Sequence, residues 1–182
     1  MGKSELLANE INVDEVQDLQ LRVNNNSKLI NNLTNKLVAD YCKGLDELVY
    51  SLNNIVKDFK HPPTDEELAY YVVNLPIQLY FNGEAQENLG IKVDVAKAVK
   101  QEKYNEIYRE VNGTIADKTA HSELASQSEE ITRIIYDRAY KIVKEKAEAA
   151  SKLLDSIKKI MTRRDTEVQL TKVNDSRFTN RR

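Results

Sequence analysis

The sequence has no tryptophan, one cysteine, three prolines and five glycines among its 182 residues. A single cysteine, Cys42, excludes an internal disulfide and a thiolate-based metal site. So few glycines and prolines exclude a chain built from many tight β-turns, while an apolar share of 41% is too high for a wholly disordered one. The glycines stand singly at positions 2, 44, 83, 90 and 113, so there is no glycine-rich loop to cradle a phosphate. The two histidines, His61 and His121, are far apart and neither has a second ligand at metal spacing. No catalytic constellation emerges, and the expectation is a protein that is not an enzyme and needs no cofactor. No apolar run approaches the roughly 18 residues of a membrane span, and Met1–Leu6 carries no secretory core. The location expected from this and from the lone thiol is the cytoplasm, the host's if the chain is phage-encoded.

What the chain does contain is helical periodicity. Val16, Leu19, Val23, Asn26, Ile30, Leu33 and Leu37 follow one another in alternating steps of three and four. That is a heptad seam, with a polar Asn26 inside it of the kind that fixes register. The seam continues through Tyr41, Leu45, Leu48, Leu52, Ile55 and Phe59 after two successive four-residue steps, a stutter. It has two readings, a true coiled coil or a helix packed on its own chain. His61-Pro62-Pro63 ends it. Thr64 with Glu67, and later Thr114 with Asp117, have the spacing of capping boxes. Between them lies an apolar stretch interrupted by Pro76 and by Asn82-Gly83, which predicts a kinked helix or two pieces and then a turn. Its aromatic residues Tyr70, Tyr71, Tyr80 and Phe81 are expected in core or subunit packing.

The expected fold is therefore all-α: a long helical hairpin or coiled coil with a compact helical insert, assembling into homo-oligomers. Its segments are a flexible lead-in over 1–15, a coiled-coil helix over 16–60, the insert over 61–113, a long basic amphipathic helix over 114–164, and a mobile basic tail over 165–182.

The charge is distributed unevenly. Residues 1–129 carry a net −8 and residues 130–182 a net +6, although the whole chain is only −2. Such asymmetry points to a surface for nucleic acid or another acidic partner. Within the basic part, Ile131, Ile135, Ala139, Ile142, Ala149, Leu153, Ile157 and Ile160 form one helical stripe. On the opposite side of the helical wheel fall Arg133, Tyr136, Tyr140 and Lys144. Cations that follow phosphates, alternating with rings that stack on bases, are the chemistry of single-strand binding; an ordinary solvated face has the same appearance. Lys158, Lys159, Arg163 and Arg164 add a second cluster. It reads either as phosphate contacts or as cations complementing a helix C-terminus.

Ala116-Asp117-Lys118-Thr119-Ala120, Ile135-Tyr136-Asp137-Arg138-Ala139-Tyr140-Lys141 and Leu153-Leu154-Asp155-Ser156-Ile157-Lys158-Lys159-Ile160, closing on Arg163-Arg164, together resemble the C-terminal half of the UvsY-like phage recombination mediators. Tyr80-Phe81-Asn82-Gly83 adds to the resemblance, which spans about residues 80–165. It implies an oligomeric, all-helical protein that binds single-stranded DNA, displaces single-strand-binding protein and helps to load a RecA-type recombinase. A coiled-coil scaffold or adaptor that binds no nucleic acid is the rival expectation.

Overall fold

The computed structural model describes the backbone of residues 13–57 and 61–179, and the side chains of 16–57 and 61–172. The described residues form four helices: α1 (Val13–Lys57), α2 (Asp65–Glu110), α3 (Ile115–Ala125) and α4 (Gln127–Thr179). No strand occurs among the described residues, so the chain is all-α. The proposed lead-in ahead of Val13, the seam residue Phe59, and Arg181 and Arg182 of the tail lie outside the described residues.

Both predicted capping boxes form. The Thr64 hydroxyl accepts from the Glu67 backbone N–H at 3.2 Å while the Glu67 carboxylate accepts from the Thr64 N–H at 2.7 Å. Thr114 and Asp117 repeat the exchange at the start of α3. These hydrogen bonds hold the carboxyls of Glu67 and Asp117 below their ordinary pKa values.

The middle of the chain departs from expectation. α2 is one uninterrupted helix of 46 residues that runs through Pro76, Asn82, Gly83 and Gly90. It replaces the compact insert with a third long rod. Pro76 removes one i to i−4 hydrogen bond, but it stands on the exposed side, and Leu68, Tyr71, Leu75, Asn82, Ala85, Leu89, Val93 and Ala96 continue the buried face past it. Packing of that face outweighs the local propensities. The last predicted helix is divided at Ser126 into α3 and α4, and α4 continues through residues 165–179, where a mobile tail is expected from the sequence.

Side-chain contacts fix the directions of the rods. Tyr71 bonds Ser51 at 3.0 Å and Asn82 reaches Cys42 at 3.8 Å, so α2 runs antiparallel to α1. Gln86 bonds Tyr140, Lys100 pairs with Glu130 and Arg164 pairs with Asp65, so α4 runs antiparallel to α2. Lys146 pairs with Asp46, and Arg138 approaches Asn31, which places α4 parallel to α1. The result is a three-helix bundle roughly 70 Å long.

Two clusters form its core. Leu45, Leu52, Leu68, Tyr71, Leu75, Ala150, Leu154 and Ile157 occupy the end near the α1–α2 connection. Val38, Cys42, Leu89, Ala139 and Val143 occupy the middle. Burial pushes the Cys42 thiol pKa up. Near the second cluster the Thr34 hydroxyl is buried without a hydrogen-bond partner. Replacing it with an isosteric methyl removes a desolvated polar atom. Thr34→Val is therefore expected to stabilise the fold by about 1 kcal/mol in a denaturant titration; a loss of stability would contradict this account of the site.

Candidate nucleic-acid interface

The buried line of α4 is Ile135, Ala139, Val143, Ala150, Leu154 and Ile157. It is rotated from the stripe read in the sequence, because α4 touches both α1 and α2 and needs a wide apolar arc. Ala149 and Ile160, assigned to that stripe, are exposed. The rotation moves two of the candidate binding residues inward. Tyr136 and Tyr140 are half-buried and pack against the cluster around Leu89 and Val143. The Tyr140 hydroxyl accepts from Gln86 at 3.2 Å. The Lys92 ammonium lies 5.7 Å from the centre of the Tyr136 ring and donates to the Tyr41 hydroxyl at 2.8 Å, which raises its own pKa. Both tyrosines thus join helices, and the solvent-facing stacking role expected for them is not where the fold puts them.

Arg133 is also engaged. Its Nε and Nη2 donate to the two oxygens of Glu130 at 2.9 and 2.8 Å, and Lys100 of α2 reaches the same carboxylate at 3.0 Å. Chiefly through the hydrogen bond from Arg133, this holds the Glu130 carboxyl well below its usual range, at about 2. A depressed folded-state pKa gives stability that is present above the ordinary value of 4.5 and lost as pH falls from there towards 2. Glu130→Gln is expected to cost on the order of 1–2 kcal/mol at neutral pH after allowance for solvent screening. The gap from the parent should close in thermal melts as pH approaches 2; a gap independent of pH would refute the link.

The remaining candidates divide between two roles. Arg164 Nη1 donates to the Pro63 carbonyl and to Asp65, both at 2.8 Å, and so ties α4 to the start of α2. Lys144, Lys158, Lys159 and Arg163 are exposed. Arg163 holds Glu167 at 2.9 Å one turn on. Lys144, Lys158 and Lys159 have no ion-pair partner among the described residues. Lys152, which the sequence reading passed over, joins them: it lies seven residues before Lys159 and therefore on the same face. From Lys144 to Arg163 the track extends roughly 30 Å along one helix.

The helix-terminus explanation for Lys158 and Lys159 does not hold in this fold. α4 runs on to Thr179, some five turns beyond them, whereas the helix dipole acts within the last turn. Between Arg133 and Arg164, ten Lys or Arg residues face four Asp or Glu. The aromatic side chains that do reach solvent are elsewhere, with Tyr50 on α1 and Tyr70, Tyr80 and Phe81 on α2 all more than half exposed. Of the predicted aromatic packing group only Tyr71 is buried.

The described residues contain no cluster of metal-ligating side chains, and no helix is long and apolar enough to cross a membrane. Compared with known family models, curated proteins and solved structures, the chain matches none. The class defined by fold and surface is a three-helix, all-α bundle with a cationic track along its longest helix.

Proposed function

We propose that the chain is a non-enzymatic accessory factor that binds single-stranded DNA along the outer face of α4, in the manner of a phage recombination mediator. The observation that carries this reading is the row of lysines Lys144, Lys152, Lys158 and Lys159 in mid-helix, which no dipole accounts for and which form no ion pair among the described residues, although Glu148 and Asp155 lie on the same face. Cations spaced along a rod follow a phosphate backbone and release its counterions. With Tyr136 and Tyr140 committed to packing, phosphate contact supplies most of the affinity. The preference for a single strand, and the partnership with a RecA-type recombinase and single-strand-binding protein, come from the resemblance of residues 80–165 to the mediators. Weak contacts of this type gain from several copies acting on one strand.

Fluorescence-anisotropy titration with labelled oligo-dT and a duplex of equal length, at low and moderate salt, tests the proposal. The expected result is tighter binding to the single strand that weakens steeply as salt rises. Absence of binding at micromolar protein and low salt would reject it. That result would favour a scaffold or adaptor, a reading supported by the apolar outer side of α2, where Val73, Ile77, Ile91 and Val95 are exposed beside Tyr70 and Tyr80.

A further inference from the structure

The heptad seam of α1 is covered over only part of its length. From Leu37 through Tyr41, Leu45, Leu48 and Leu52 it is buried or half-buried in the bundle. Towards the N-terminus the same seam is largely open: Val16, Leu19, Val23 and Leu33 are 37, 56, 61 and 42% exposed, with Ile30 half-buried. The cause lies on the other side of the bundle. At Ser126 the chain of α3 and α4 is interrupted, and α3 packs on α2. Among the described residues α1 makes no close backbone approach to α3, and Arg22, Asn25 and Asn26 face Leu124, Ala125 and Ser128 only across an open cleft.

We propose that this arm of α1 pairs with the same segment of a second copy of the chain, in register, as a short parallel two-stranded coiled coil. Residue identities argue for this occupant. Placing Val16 at position a puts Val16, Val23 and Ile30 at a, and Leu19, Asn26 and Leu33 at d. β-branched residues at a with leucine at d favour two parallel strands. Asn26 argues for an identical partner. An amide both donates and accepts, so Asn26 of one copy satisfies Asn26 of the other, whereas an apolar partner would leave it buried and unpaired. The flanking positions raise no objection: g to e' places Arg22 by Ser27, with no like charges facing. The seam from Val16 to Leu33 covers only about 26 Å, short for an isolated coiled coil. Here the helix is held by the bundle that anchors its other half, so much of the ordering cost is met before association. The inference does not depend on DNA binding by α4. If both hold, one particle presents two cationic tracks.

Sedimentation velocity of the full chain over a concentration series, in the absence of DNA, tests the proposal. The parent is expected at twice the 20.9 kDa of one chain. Val23→Glu places a charge in the open seam and should raise the dissociation constant at least tenfold, a change of about 1.4 kcal/mol, with helicity and melting temperature unchanged. Asn26→Val should tighten association at least tenfold, since a buried polar amide in the seam is replaced by an apolar group. A monomeric parent at every concentration would overturn the proposal, as would a parent of three or more copies. A Val23→Glu variant with the parent's mass would do the same, because the copies would then be held through another face. An Asn26→Val variant of unchanged affinity would place that amide outside any seam and also overturn it.

Discussion

Reversing Lys158 and Lys159 to glutamate is expected to weaken binding to oligo-dT by roughly ten- to a hundredfold at low salt while leaving the melting temperature unchanged. Both side chains are exposed and neither carries an ion pair among the described residues, so the fold loses nothing when they go. Two phosphate contacts fewer should also flatten the plot of log affinity against log salt by about 1.4, given about 0.7 per contact on a single strand. The same reversal at Arg164 is a poor probe. Arg164 spans from α4 to the Pro63 carbonyl and Asp65, so its loss would disturb the bundle end and confound binding with stability. Unchanged affinity and slope in the Lys158→Glu, Lys159→Glu variant would exclude this part of α4 from the site.

Leu89→Ala is expected to produce the largest loss of stability, about 2–5 kcal/mol, seen as a fall in melting temperature on the order of 5–15 °C. Leu89 is fully buried at the level where all three long helices meet. Its neighbours on α4 are Ala139 and Val143, and on α1 Val38 and Cys42. The small Ala139 lets α2 and α4 approach closely, and the leucine fills what remains. Truncation leaves a cavity that rigid rods close poorly, which puts the cost towards the upper part of that range. A change below about 1 kcal/mol would mean that the helices do not pack as described.

The parts of this fold legible in the sequence are those set by neighbours a few residues apart. The exchanges of Thr64 with Glu67 and of Thr114 with Asp117 are local chemistry, and both form where their spacing places them. The helical character of the chain follows in the same way from its period. Pro76 and Asn82-Gly83 misled because their tendency to break a helix is also local, while the reason the helix continues is not. Asn82, in the middle of that supposed turn, is buried and donates to Cys42 of another helix. The arc of α4 has a related cause. A single apolar stripe describes a helix with one neighbour; α4 has two, and its arc extends to Val143, Ala150 and Leu154. Tyr136 and Tyr140 stand at the margins of that wider arc. A helical wheel cannot show this, because the position of α2 depends on residues such as Leu89 and Gln86, some fifty positions away. The cationic track was partly legible: Lys144, Lys158, Lys159 and Arg163 are exposed as expected, while Arg133 and Arg164 are held by Glu130 and Asp65.

The most direct test of the α4 interface is a lysine footprint. The protein would be acetylated briefly with and without saturating oligo-dT, and the modification at each lysine read by mass spectrometry. Binding along the outer face of α4 predicts protection of Lys144, Lys152, Lys158 and Lys159, with Lys97 and Lys103 of α2 modified equally in both samples. Protection absent from α4, or spread evenly over the lysines of α1, α2 and α4, would contradict the assignment.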